Sequence, residues 1–171
     1  MGPMEIRPAV EAEASTVSRL LAEALRESYV PLLGESVTNS LIGRYCSISR
    51  IRTEIGVTRG DPAWLGWLVA ATGRGEVVGA AAGGIVMAGC GELFSVCTAP
   101  AHRRRGVGSA LLERLTDRHR AHRAREQWVS VRSGADPALP FLTRHGFRPP
   151  AAGAIGDGGN TAAELRCSRA I

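Results

Sequence analysis

Residues 94–113, FSVCTAPAHRRRGVGSALLE, constrain this chain more than any other stretch. An apolar run ends at Pro100, Arg103 to Arg105 follow, then Gly106-Val107-Gly108, where a helical pattern begins. A strand that turns sharply into a helix leaves the first helical N–H groups without partners, and the helix dipole adds partial positive charge there. Glycine lets the backbone curl and lets a ligand approach it closely. The order strand, Arg-Gly turn, helix therefore builds an anion site, and a phosphate-bearing ligand is its expected occupant.

The rest of the composition narrows the classes. At 171 residues the chain is read as one domain, 1–171, with residues 1–3 an addition ahead of a natural start at Met4. A hydrophobic share of 44% against 22% charged residues is that of a soluble globular protein. No apolar run approaches the roughly 20 residues of a membrane span. No basic start with an apolar core marks a secretion signal, so a cytoplasmic location and no membrane partner are expected. Cys46, Cys90, Cys97 and Cys167 lack CxxC or zinc spacing; they read as reduced thiols, Cys90 and Cys97 as buried ones, and no metal is expected. All 21 basic residues are Arg, and eight fall between Arg103 and Arg125 against Glu113 and Asp117 alone, which implies a local positive patch. Nucleic acid is one partner for such a patch, a phosphorylated cofactor another, and the turn chemistry favours the cofactor.

Periodicity gives the element order. Residues 4–7 alternate as a short strand, and 11–28 carry a helical stripe (Val17, Leu20, Leu21, Ala24, Leu25) ended by Pro31 and Gly34. Residues 36–55 are weakly helical. Residues 64–71 and 76–88 read as strands around the Thr72–Gly75 turn, and 91–98 as a third, an antiparallel meander. A helix follows over Val107–Ala121, with Val107, Ala110, Leu111 and Leu115 inward, then a strand over Gln127–Val131. Pro137–Arg144 reads as a short helix with Asp136 at its N-cap and Gly146 beyond its end. Phe147–Pro149 and Thr161–Cys167 read as closing strands around a Gly/Ala-rich loop, 150–160. The fold class is α+β, a mixed and mostly antiparallel central sheet flanked by helices.

An Arg-x-x-Gly-x-Gly string recurs easily in a chain rich in Arg and Gly, so its context decides. A dinucleotide turn wants glycine where Leu111 stands and a parallel βαβ frame. A nucleoside-triphosphate loop needs a lysine, and the chain has none. The remaining pattern resembles the GNAT superfamily of N-acetyltransferases. The resemblance rests on the opening Met4-Glu5-Ile6-Arg7-Pro8-Ala9 before an amphipathic helix, on Val96 to Gly108 with Pro100 three residues before Arg103, and on Ala138, Phe141 and His145-Gly146-Phe147. It spans residues 4–149, with little signature over 30–62.

This resemblance implies a GNAT-like fold and an acetyl-CoA-dependent N-acetyltransferase acting on a primary amine of a small molecule or protein, by direct attack in a ternary complex. In the family the strand before the turn is bulged and splays from the next, and pantetheine lies in the gap. By register, Val96, Cys97 and Thr98 would line it, with backbone contacts from Val96 and Thr98. The pyrophosphate would rest on the N–H groups of Arg104, Arg105, Gly106, Val107, Gly108 and Ser109, with the Arg103 and Arg105 side chains adding charge. Glu92, eleven residues before Arg103, falls where one branch of the family carries a glutamate base. Within an apolar run its pKa is expected to rise by desolvation.

One departure stands out. Leu142 occupies the position where many members carry a tyrosine that protonates the leaving thiolate, and Ala135 replaces a frequent asparagine. His145, Ser133, Asp136 or water would have to substitute. His102, His119 and His122 are expected to face solvent, His145 to sit exposed at a helix end. Acceptor recognition is expected from 29–59 and 150–160. Trp64 and Trp67, on one strand, would point to opposite faces, with core packing expected for both. A non-catalytic acyl-CoA-binding domain and a nucleic-acid-binding protein are the competing readings. A homodimer is compatible with the fold, but no interface pattern is visible.

Overall fold

A computed structural model of the chain describes residues 4–57, 60–132, 136–149 and 165–171. Its six strands are β1 (Glu5–Pro8), β2 (Trp67–Ala71), β3 (Val77–Met87), β4 (Cys90–Thr98), β5 (Glu126–Val131) and β6 (Leu165–Ala170). They form one sheet in chain order, antiparallel throughout except for the parallel β4–β5 pair. That pair is parallel because a helix, α3 (Val107–Ala121), crosses over between its strands. The mixed, mostly antiparallel sheet is the one expected from the sequence.

Two helical layers cover the sheet. On one face α3 and α4 (Leu139–Arg144) close a core that includes Leu68, Leu93, Leu111, Leu115 and Phe147. On the other, α1 (Ala14–Tyr45) and α2 (Ile48–Gly56) cover Trp67, Val69, Ala80 and Cys97. The small residues of β3, Gly79 to Gly84, let both layers close on the middle of the sheet. A Cβ on Gly79 would lie only 2.9 Å from Val107 Cγ1. The buried stripe of α3 is Val107, Leu111, Leu112, Leu115, Thr116 and His119, with Ala110 only half-buried. Each of the three leucines contributes about 1.5–3 kcal/mol by burial.

The structure departs from the sequence expectations at several places. Pro31 does not end the first helix. It lies within α1, which breaks at Gly34 (φ 79°, ψ 167°) and resumes to Tyr45. Proline removes a single helical bond, whereas the left-handed glycine turns the chain, and Thr38 Oγ1 then bonds the Gly34 carbonyl at 2.8 Å. Trp64 and Trp67 do not point to opposite faces. β2 begins at Trp67, and the left-handed Gly66 (φ 81°) resets the alternation, so the two rings meet edge-on at 6.1 Å. Phe147–Pro149 is not a strand but one bridge, Arg148 to Ser168. α4 starts two residues later than expected, although Asp136 does cap the turn before it, its Oδ1 accepting from Ala138 N at 2.9 Å. His119 does not face solvent; it is 0% exposed. It occupies room left by glycines, since a Cβ on Gly91 would lie 2.4 Å from its ring.

All four cysteines are free and buried. Burial pushes the Cys97 thiol up to about 12. The expected loop 150–160 and the segment 161–164 lie outside the described residues. No helix among the described residues is long and apolar enough to cross a membrane.

Candidate functional site

The site begins where β4 leaves β5. Cys90 to Leu93 pair with Glu126 to Val129, and the ladder stops there. At the same level β4 bulges. Ser95 faces Ala82 and Leu93 faces Gly83 in β3, leaving Phe94 as the extra residue. From Phe94 to Thr98, β4 therefore has β3 on one side and no β5 partner on the other. Ala99 N donates to Val78 O of β3 at 2.8 Å. Strand alternation then turns the N–H and C=O groups of Val96 and Thr98 the other way, into the gap. The Cys97 side chain is buried on the α1 side and takes no part in the gap.

At the end of β4 the chain makes the Arg-Gly turn. Both Arg104 (φ 60°) and Gly106 (φ 82°) are left-handed. For Arg104 this costs about 1–2 kcal/mol, a strain that the sequence did not signal. Gly106 is the N-cap of α3, and no side chain caps the helix. The first helical bond in the turn is Ala110 N to Gly106 O at 2.9 Å, so the N–H groups of Val107, Gly108 and Ser109 are left for an anion. Val107 is anchored in the core at 3% exposure. Gly108 lies between Thr98 and Phe141. A Cβ there would sit 3.4 Å from the Phe141 ring and 3.6 Å from Thr98 Oγ1. A glycine therefore keeps a cradle open that a side chain would fill. Ser109 Oγ lies 3.0 Å from His145 Nε2, which brings the end of α4 to the same turn.

The arginines are deployed differently from the expectation of one positive patch. Arg103 forms an ion pair with Glu27 of α1, its Nη1 at 2.7 Å from Oε1, and this pair lowers the Glu27 pKa and raises that of Arg103. Its side chain thus ties the turn to α1 rather than lying free over the cradle. Arg118 turns inward to the Leu65 carbonyl at 2.7 Å, and Arg120 pairs with Asp117 at 3.4 Å. Arg104 and Arg105 are exposed at the turn.

α1 also reaches the far wall of the gap. Tyr29 OH donates to Asp136 Oδ2 at 2.9 Å, across 107 residues of sequence. Asp136, 4% exposed, accepts from Arg132 N at 3.2 Å as well. Glu27 and Tyr29 thus link one helix to both walls, which no local pattern could reveal.

Glu92 lies on β4 beside Trp128 of β5. Gly91 faces His119 on the α3 side, so alternation sends the Glu92 side chain to the opposite, α1–α2 side. It is half-buried, with Ser130 Oγ donating to Oε1 at 3.5 Å. Leu142, at the position where the resemblance led us to look for a tyrosine, is 1% exposed and belongs to the core. His145 is half-buried rather than exposed; burial first, then Arg169 and Arg144, lower its pKa. Ser133 and Ala135 lie outside the described residues. Two hollows of about 340 and 380 Å³, one beside the Thr72–Gly75 turn and one beside Asp61 and His122, lie away from the gap.

The fold has known counterparts. The PaiA N-acetyltransferase of Thermoplasma acidophilum, solved with coenzyme A, superposes with a TM-score of 0.83 at 18% identity, over 99% of each chain. A GCN5-related N-acetyltransferase of Rhodopseudomonas palustris gives 0.75 at 16% identity, over 100% of this chain and 98% of that one. YncA of Salmonella typhimurium, solved with its cofactor acetyl-CoA, gives 0.62 at 20% identity, over 99% and 94%. At these identities the likeness establishes the fold. No curated protein sequence matches the chain. A sequence model described as the Acetyltransferase (GNAT) family matches residues 23–147, a span that contains the bulged strand, the Arg-Gly turn and α4. The chain belongs to the GNAT acetyltransferase family.

Proposed function

We propose that the protein is an acetyl-CoA-dependent N-acetyltransferase that moves an acetyl group to a primary amine by direct attack in a ternary complex. The observation that carries this reading is the continuous path from the unpaired edge of β4, Phe94 to Thr98, into the uncapped start of α3. The open cradle at Gly108 fits a pyrophosphate approaching the backbone. The N–H groups of Arg104 to Ser109 would hold that pyrophosphate, and the backbone of Val96 and Thr98 would hold pantetheine. When bound, acetyl-CoA supplies an activated acyl group as a thioester.

Glu92 is assigned as the base. Its half-exposed carboxylate is open to an ammonium group on the α1–α2 side, and taking the proton leaves the amine nucleophilic. N–H groups at the β4 bulge would face the oxyanion that develops on attack. The leaving thiolate is assigned to water or unassisted departure, since a thiol is already fairly acidic. Leu142 carries no proton, His145 Nε2 lies 3.0 Å from Ser109 Oγ in a site that lowers its pKa, and Asp136 is engaged by three donors.

The buried Leu142 also favours a second reading, an acyl-CoA-binding domain without catalysis. Thiol release from acetyl-CoA against a panel of amines separates the two. Release that depends on amine concentration supports the enzyme; tight acetyl-CoA binding with no release from any amine supports the binder. Failure of acetyl-CoA to raise the melting temperature at all would sink both.

A further inference from the structure

We infer that the acceptor is a primary amine on an aromatic body that carries a carboxylate at its other end, and that the open sheet face around Glu92 selects it. This rests on the acetyltransferase reading and adds to it the substrate class.

Aromatic and charged side chains line this face. Phe94, the bulged residue, is 45% exposed and stacks on Trp64 with ring centroids 5.9 Å apart and planes 5° from parallel. Trp64 is fixed from behind: its Nε1 donates to the Glu54 carbonyl at 2.9 Å and Trp67 packs edge-on against it. Trp67 Nε1 in turn donates to Glu54 Oε2 at 2.9 Å, and Arg50 Nε holds the other Glu54 oxygen at 2.6 Å. Both indole N–H groups are thus committed to α2, and the wall offers ring surface. Glu92 lies two residues before Phe94, on the same side of β4, and faces Trp128 in the register of β4 and β5. An ammonium there gains both the carboxylate and the ring faces.

The charge order continues on the next strand. Gln127 and Cys167 are buried on the α3 side of their strands, so Trp128, Ser130 and Arg166 share the Glu92 side. The Arg166 guanidinium lies over the Trp128 ring, 4.8 Å from its centroid. Across β4, β5 and β6 the face therefore carries Phe94, Glu92, Trp128 and Arg166, with the Glu126 carboxylate on the same side held by the Trp128 Nε1–H at 3.2 Å. A second ammonium on the acceptor would meet Arg166 and be repelled, which counts against polyamines. A carboxylate would pair with it, and a guanidinium is well shaped for that.

The test compares 4-(aminomethyl)benzoate, benzylamine and spermidine as acceptors for the full chain, read as kcat/KM for thiol release. The expected order places 4-(aminomethyl)benzoate about tenfold above benzylamine, with spermidine last. Arg166→Gln should bring the ratio of the two ring amines close to one, and Phe94→Ala should raise KM for both. An acetyl-CoA-induced thermal shift confirms that each variant is folded. Spermidine as the best acceptor, or a carboxylate preference unchanged in Arg166→Gln, overturns the inference and leaves the acetyltransferase reading standing. Release from none of the amines overturns that reading as well.

Discussion

Alanine at Gly108 should stabilise the free protein and weaken its hold on acetyl-CoA, two effects of opposite sign from one methyl group. Gly108 lies in the first turn of α3 with an ordinary negative-φ helical backbone, and its added Cβ would make only normal contacts, at 3.4 Å to Phe141 and 3.6 Å to Thr98. With no strain in the native state, alanine lowers the entropy of the unfolded chain and adds about 0.4–1 kcal/mol. For a domain of this size that raises the melting temperature by about 1–4 °C. The same methyl occupies the floor of the cradle. Acetyl-CoA at a hundred times its Kd should stabilise the native protein by about 2.7 kcal/mol, or about 5–10 °C, and Gly108→Ala should lose most of that gain. Gly106→Ala provides the contrast. Its Cβ would meet nothing within 4 Å, but φ is 82°, so alanine costs about 1–2 kcal/mol before any ligand is added. Thermal melts with and without acetyl-CoA, supported by calorimetry, read all of these. A Gly108→Ala protein that melts below the parent without ligand, or that binds acetyl-CoA with parental affinity, refutes the argument.

Other expectations test the fold and the chemistry. Gly91→Ala forces a methyl to within 2.4 Å of the His119 ring and should cost about 3 kcal/mol in urea unfolding. Adding His119→Ala should recover much of that loss, and strictly additive losses would count against the contact. Burial, with lesser contributions from His122 and Arg169, pushes the His119 pKa down to about 4 from an ordinary 6.5. Between those values the unfolded chain binds the extra proton, so stability rises with pH through that window and is lost as pH falls. The loss from pH 7 to pH 5 should be about 2 kcal/mol, and His119→Gln should flatten it; an equally steep curve in that variant refutes the assignment. Glu92→Gln should lower turnover several-fold while acetyl-CoA affinity holds; an unchanged rate across the pH range removes Glu92 as base. Asp136→Ala strips partners from Tyr29, Arg132 and Ala138 and should cost about 2 kcal/mol in denaturant titration.

Much of the site was legible because it is local in sequence. The run from Val96 to Ser109 contains the strand end, the turn and the helix start, and each announces itself through neighbours a few residues away: apolar run, Pro100, Gly106, helical stripe. α3 was readable to its ends, since a 3.6-residue stripe over fifteen residues leaves little freedom of phase. The errors fell where a neighbour in space outweighed a neighbour in sequence. His119 lies in a stretch of basic residues and reads as solvated, but glycines on two strands leave a slot for its ring. Phe94 sits in an apolar run with nothing local to mark it, and only the register shift against β3 shows that it is the extra residue.

The sequence by itself determined that a strand must turn through Arg and Gly into a helix, and hence that a helix start without a side-chain cap lies there, because those steps depend on backbone conformations that a few adjacent residues dictate. Only the tertiary structure decided what surrounds that site. The parting of β4 from β5, the links from Glu27 and Tyr29 of α1 to its two walls, and the placing of Glu92 beside Trp128 all join residues far apart in the chain. Such contacts follow from how the layers pack as a whole, and no local pattern encodes them.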